Sequence, residues 1–553
     1  MANSRSIPAG SAHQTMPSLK PTAGGHFAPA IASCLLVALA ALVMWPALGA
    51  GFLQDDWDFL ASSSHLPTPL PYFLENHSRG YFFRPNGMLA WWLANRGFGL
   101  VPAWHYALQI LVHAGCALAL LGLMQRMGAS RLAAVSASAV FVVHPATVAT
   151  SLWLSNRFDL LATLGLLLCL RLLFSPRLGR PAVYAGLAAC AWLAVGAKEI
   201  GVLVVPLAAL ALWLRPDAGM RTRVAAAVAV LVPTVAWFAL RLLVLGSDDI
   251  TGQRDPGALA GQFKTGVGLW LAYLPGALAL DAPPWLGAAA LAGLLAAALA
   301  ALPRGRADML ARRAWLGLAL LLLPPLLQWP ITHFALAMPD ALATSVTLRF
   351  YFLALCGAAL LLSVAIDTGL AAAARPRRAP WLPSALAVFI AAVIALPMSG
   401  QSDKRARAWK AVTADPRSLQ MEASLVHRFQ TLAGGAGCKL VFVGASSANL
   451  PGFADHVAKA HLPRGHRALD SLVVTDPMPW SAIVGPAGAE PGALSPLPNR
   501  MSGPVELTPA AVGPLFYVSL DYRPLGFNED AACPTMALRW DGGEFVEVTA
   551  RRP

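Results

Sequence analysis

Gly51-Phe52-Leu53-Gln54-Asp55-Asp56-Trp57-Asp58 follows directly on a mostly apolar run, Phe27 to Ala50. Three carboxylates therefore sit where a hydrophobic helix would leave a membrane. An ionisable group at that depth is costly unless it is paired or used, so the default reading of such a group is functional. The plainer alternative is an acidic cap just outside a membrane helix, and the rest of the chain has to decide between them.

Of 553 residues, 57% are hydrophobic and 12% are charged. Soluble domains carry about a quarter charged residues, so the composition is that of a polytopic helical membrane protein. The formal charge is +13, but the basic residues form short clusters between apolar runs, which is how membrane topology is encoded. No basic stripe or aromatic-basic motif points to nucleic acid. Of the seven cysteines, Cys34, Cys116, Cys169, Cys190 and Cys356 lie in apolar runs, while Cys438 and Cys533 lie in the polar C-terminal part. None has zinc-site spacing. Residues 1–26 lack periodicity and read as a disordered cytoplasmic tail. The 27–50 run is longer than a signal-peptide core and many spans follow, so it reads as an uncleaved first helix.

Spanning helices need about 20 apolar residues. The candidates are 28–50, 104–124, 131–149, 158–174, 181–197, 199–214, 223–246, 284–302, 314–331, 348–366 and 380–398. With the N-terminus in the cytoplasm, a basic cluster should follow every second span. Arg126 and Arg131, then Arg171, Arg177 and Arg180, then Arg215, Arg221 and Arg223 obey this. So do Arg304, Arg306, Arg312 and Arg313, and finally Arg375, Arg377 and Arg378, provided 264–302 crosses once. The stretch 264–281 is then interfacial or re-entrant. The count is about eleven spans, placing the 51–103 loop and everything after residue 398 outside. The region 399–553 reads as a soluble extracytoplasmic α/β or α+β domain, with strands near 439–443, 471–475 and 515–519, a hairpin across 536–548 and a helix over 421–431. An oxidising compartment makes a Cys438–Cys533 disulfide a reasonable expectation.

Charges gather on the outer loops of this topology: Asp55, Asp56 and Arg84 in the first, His144, Arg157 and Asp159 around the second, then Lys198-Glu199, then Arg349. A carboxylate there can act as general base toward a hydroxyl, or hold a divalent metal with other oxygen ligands. Neighbours on an extended segment point to opposite sides, so one aspartate can face a reaction while the other pairs with Lys or Arg. Arg84, Arg157, Lys198 and Arg349 suit a lipid-linked phosphate, which guanidinium groups bind as a fork; the bland alternative for each is a snorkelling anchor. Lys198 and Glu199 are adjacent and cannot face one another on a helix, so each should find a different partner. His144 could orient a carboxylate or ligate a metal. Trp91 and Trp92 read as interfacial belt residues.

Several motifs occur in order: Asp55-Asp56, Phe83-Arg84-Pro85, Trp104-His105-Tyr106, His113, Val143-His144-Pro145, Trp153 through Leu161 with Arg157-Phe158-Asp159, and Ala197-Lys198-Glu199. Over about residues 28–366 the chain resembles the GT-C class of membrane glycosyltransferases. Within it, the chain is similar to protein O-mannosyltransferase relatives that carry C-terminal tetratricopeptide repeats. Leu348-Arg349-Phe350-Tyr351 resembles their Glu-Arg-Tyr-x-Tyr-x-Pro segment. The resemblance implies a GT-C-like membrane domain over 27–398. It also implies sugar transfer at the outer face of a plasma (bacterial inner) membrane, from a polyprenyl-phosphate-linked donor. Asp55 or Asp56 is then the base, and Arg84, Lys198 and Arg349 contact the donor phosphate. Arg157 and Asp159 match the family's Arg-x-Asp, with His144, Glu199 and Tyr351 in support.

The chain departs from the family in three places. The relatives read His-Pro-x-His-x-Glu where this chain has His144-Pro145-Ala146-Thr147-Val148-Ala149, so a divalent cation, with Asp55, Asp56 and His144 as its available ligands, is left unassigned. Arg349 has no Glu before it, and the repeats are missing, so the acceptor can be protein, lipid or polysaccharide. A glycolipid transporter or flippase, or an inactive envelope scaffold, is the alternative. A transporter would show repeats or paired broken helices charged near mid-bilayer, and no sequence repeat is visible.

Overall fold

The computed structural model describes residues 27–53, 55–75, 82–246, 256–336, 345–373 and 382–414, with 420, 423 and 424 and five strands beyond them. In chain order the first helices are α1 (Phe27–Met44), α2 (Asp55–His65), α3 (Pro71–Leu74), α4 (Pro85–Phe98), α5 (Pro102–Arg126) and α6 (Arg131–Val143). Next come α7 (Pro145–Leu152), α8 (Arg157–Leu173), α9 (Pro181–Ala197), α10 (Val204–Trp213), α11 (Met220–Leu245) and α12 (Pro256–Leu278). The last are α13 (Pro284–Ala301), α14 (Met309–Leu322), α15 (Pro325–Ala335), α16 (Ser345–Leu348), α17 (Phe352–Ala373) and α18 (Leu382–Thr413). Proline opens many of them, where its missing N–H costs nothing and its fixed φ suits the first turn. Ser130 caps α6 by accepting from the Ala133 N–H, and Asp308 caps α14 through the Leu310 and Ala311 N–H groups, each satisfying donors that a helix start leaves unpaired.

Helix α5 packs on α6 and α8, and α17 packs on α6 and touches α5 and α8, with α9 on α8 and α14 on α17. Aliphatic and aromatic side chains fill much of their interior, but α5 and α8 also bury His105, Gln109, His113, Arg157 and Asp159. Large apolar side chains on α11, among them Val232, Val235 and Leu243, are exposed, as a lipid-facing surface should be.

Among the described residues six helices are long and apolar enough to cross a membrane, or seven if α6 and α7 form one broken span bent by 51°. The expected eleven are therefore reproduced only in part, and the reason is local. The residue before a proline is pushed out of the helical region, so His144 is extended and the 131–149 run breaks there. Lys198 is also extended, with φ −160°, leaving 181–197 and 199–213 as shorter apolar helices. Helix α8 has 17 residues, about 25 Å at 1.5 Å per residue, short of a hydrocarbon core about 30 Å thick. The 264–281 stretch falls largely within α12, which is not among the six candidate spans. The composition shift at 399 falls inside α18, which continues unbroken to Thr413.

Beyond α18, β1 (Leu440–Val443), β2 (Ser471–Thr475), β3 (Phe516–Ser519), β4 (Met536–Trp540) and β5 (Phe545–Val548) form one mixed sheet in the order β3-β2-β1-β4-β5. Strand β1 runs parallel to β2 and β4, while β3 and β5 are antiparallel edges. The strands lie where short apolar runs placed them. The 1–26 tail, most of the expected 421–431 helix, and Cys438 and Cys533 lie outside the described residues.

Candidate active site

Asp55 and Asp56 open α2 rather than lying on an extended segment. Neighbours on a helix are turned by about 100°, and that rotation separates the pair. Asp56 is fully buried. Its Oδ2 accepts the Leu53 N–H at 3.0 Å and its Oδ1 accepts the Ser155 hydroxyl at 2.6 Å. Burial pushes its carboxyl up to about 7, although the two hydrogen bonds and the Arg157 charge pull the other way. Asp55 is half-buried and lies within electrostatic reach of Arg349.

The shift at Asp56 has a consequence for stability. Its proton is held more tightly in the folded protein than at the ordinary value of 3.8, so the folded state binds more protons between about pH 4 and pH 7 and its stability falls as pH rises through that window. Unfolding titrations in detergent should show this slope in the wild type and a flatter profile in Asp56→Asn. Equal slopes would place the proton elsewhere.

The cations are held by an alternating set of acids. Arg84 grips Glu199 through Nε, at 3.1 and 3.0 Å, and Nη2, at 2.7 Å. Lys198 Nζ lies 2.6 Å from both oxygens of Asp159, and both side chains are buried. The extended backbone at Lys198 sends it and Glu199 to different partners, as their adjacency required. Gly87 makes the approach possible: a Cβ there would stand 2.0 Å from the Phe158 ring, so only glycine lets α4 close on α8 and deliver Arg84.

Arg349 differs from both. It begins a 3₁₀ turn, Arg349–Tyr351, that is bolted to α12. The Tyr351 hydroxyl donates to the Trp270 carbonyl at 3.0 Å, Trp270 Nε1 donates to the Phe350 carbonyl at 3.3 Å, and the two rings stack at 4.9 Å. The guanidinium lies over Trp153 at 5.8 Å. Asp159, Asp55 and Glu199 are within electrostatic reach, yet its buried Nε has no hydrogen-bond partner among the described residues.

Two expected supporting residues lie apart from the Arg349 cluster. Arg157 is buried behind Asp56, over Trp91 at 4.3 Å, with contacts of 3.4 Å to the Gln109 side chain and the His105 carbonyl. It balances Asp56 from within rather than lining the Arg349 cluster. His144 caps α7: Nδ1 accepts the Ala146 N–H at 3.2 Å, which leaves Nε2 to donate to the Leu278 carbonyl at 3.0 Å. Both ring nitrogens are occupied, so neither is open to a metal. Trp91, expected at the interface, is fully buried beneath Arg157. Among the described residues no three His, Cys, Asp or Glu side chains converge as a metal site, so Asp55, Asp56 and His144 do not form one ligand set. Sequence reading missed Ser155, Trp270 and the role of Trp153. Ser155 stands inside a motif already singled out, but nothing in its type marks it as the partner of Asp56.

No family model matches the chain, and no curated protein matches it in sequence. Solved structures do match. The crystal structure of the Archaeoglobus fulgidus oligosaccharyltransferase in the apo form shares 12% identity at a TM-score of 0.52, over 82% of this chain and 70% of that one. ArnT from Cupriavidus metallidurans bound to undecaprenyl phosphate shares 15% identity at a TM-score of 0.43, over 81% and 94%. The Saccharomyces cerevisiae protein O-mannosyltransferase Pmt1-Pmt2 complex bound to the sugar donor shares 15% at 0.29, over 39% and 33%. The chain has the membrane-protein fold of the GT-C glycosyltransferases.

Proposed function

We propose that the chain is a glycosyltransferase that moves a sugar from a polyprenyl-phosphate-linked donor to a hydroxyl of an envelope acceptor on the outer face of the membrane. The observation that carries this reading is Arg349, a half-buried arginine whose Nε is buried and unpartnered among the described residues, within electrostatic reach of a half-buried aspartate. Arg84 and Lys198 already hold carboxylates, so Arg349 is the cation best prepared for a phosphate oxygen. A fold shared with an oligosaccharyltransferase supports the same chemistry.

In this mechanism Asp55 takes the proton from the acceptor hydroxyl as its oxygen bonds to the anomeric carbon. The bond from that carbon to the phosphate oxygen breaks at the same time, and polyprenyl phosphate leaves as an anion. Arg349, with the Arg84 and Lys198 charges behind it, stabilises that growing charge, and such fixed charges aimed at a leaving group are usually the largest catalytic contribution. Asp56 keeps α2 in place by holding Leu53 and Ser155. A single displacement inverts the anomeric centre. No step is assigned to a metal.

The test needs no knowledge of the sugar. Purified protein in nanodiscs should be stabilised against heating by undecaprenyl phosphate, by about 2.7 kcal/mol at a hundred times Kd. Arg349→Ala should remove the stabilisation while keeping the ligand-free midpoint. Equal stabilisation of both proteins would defeat the assignment of Arg349. Mass spectrometry of envelope glycans and secreted glycoproteins from a deletion strain would then identify the acceptor class, and an unchanged glycan profile would count against transfer.

A further inference from the structure

Gly51, four residues before Asp55, is held on both sides by side chains far away in sequence. Its N–H donates to Thr413 Oγ1 at 3.2 Å, and that hydroxyl donates in turn to the Trp409 carbonyl at 2.9 Å. Its carbonyl accepts the Tyr106 hydroxyl at 3.0 Å, and the same hydroxyl accepts Trp409 Nε1 at 2.9 Å. The end of α18 thus grips one glycine through two links. The fit is close: a Cβ on Gly49 would stand 2.8 Å from Lys410 Cε. The helix is itself fixed to its surroundings. Ser402 donates to the Val143 carbonyl at 2.7 Å, and Arg405 forms two 2.6 Å contacts with Asp281.

None of these residues belongs to the charged cluster, and simple packing of α18 would not require both polar groups of one backbone unit to be engaged. We infer that Trp409 and Thr413 are positioning residues, and that the last turns of α18 form a strap that holds the loop carrying Asp55 in its working place. The inference rests on the proposed transfer reaction only for its effect on turnover; the holding of the loop stands on the hydrogen bonds. A base must lie within hydrogen-bond reach of the proton it removes. A loop freed at Gly51 still binds donor through Arg349, because that residue is fixed by α12, but presents Asp55 poorly.

The experiment compares the full-length wild type with Thr413→Val, Trp409→Phe and Thr413→Ser by hydrogen–deuterium exchange and by transfer kinetics in nanodiscs. Thr413→Val and Trp409→Phe should speed exchange in peptides covering 49–58 and leave those covering 131–143 unchanged. Turnover should fall about tenfold with the donor KM unchanged, since small misplacement of a reacting group acts on kcat. Thr413→Ser keeps the oxygen and should restore both readouts. Unchanged exchange at 49–58, faster exchange throughout the bundle, or a freed loop with wild-type turnover would each overturn the strap. If the wild type transfers no sugar, the proposed function fails, and exchange at 49–58 with its Thr413→Ser rescue decides the strap alone.

Discussion

Asp55→Asn is expected to abolish sugar transfer, lowering turnover by about 10²–10⁴-fold, the usual contribution of a positioned general base. Asparagine is nearly the same size and can still open α2, so the thermal midpoint should not move, and undecaprenyl phosphate should still bind through Arg349. Asp56→Asn should behave differently. It keeps one acceptor for two donors, the Leu53 N–H and the Ser155 hydroxyl, so transfer should fall by only about tenfold, as expected for one imperfect contact in a positioning group. Kinetics with both variants separate the roles: equal losses would mean that the buried aspartate also takes part in proton transfer.

The second large effect concerns Lys198. With Asp159 it forms a buried pair at 2.6 Å, and removing one partner leaves a buried charge uncompensated, at a cost of about 3–5 kcal/mol. Lys198→Met should therefore unfold at markedly lower denaturant. Asp159 is also within electrostatic reach of Arg349, so in that variant the orphaned carboxylate would draw the guanidinium away from the donor. Adding Asp159→Leu removes the orphan. The double variant should recover most of the lost stability, because apolar replacement of a buried pair is often neutral, while transfer stays low without the Lys198 charge. A double variant as unstable as the single one would show that the pair contributes more than its charges.

The apolar runs and the ordered motifs made the membrane fold legible. The split of Lys198 and Glu199 between partners followed from adjacency alone, and the strands after α18 followed from short apolar runs bounded by polar residues and turn signals. What stayed hidden depended on pairing across the chain. Sequence could not foresee that Asp56 is the buried, hydrogen-bonded member of the pair, because one of its partners is Ser155, 99 residues away. It offered Arg157 and His144 as supporting residues but could not show which groups they touch. The structure shows one balancing Asp56 and the other capping a helix. The count of about eleven spans is met only in part, for a related reason. Hydropathy averages over windows, while His144 breaks the 131–149 run at a single residue; the division at Lys198 was expected.

The contact between Gly51 and Thr413 joins residues 362 apart. During synthesis the acidic loop emerges early, and its strap emerges only after nearly all the membrane helices have been made. At about 5–20 residues per second the interval is roughly 20–70 s. Through that time Asp55 sits on a loop with one of its two fastenings missing. A chain truncated before Trp409 would contain every charged residue of the cluster and still lack the final alignment. With the inferred strap, completion of α18 is the step that finishes the alignment, and chains that stop before it should transfer no sugar.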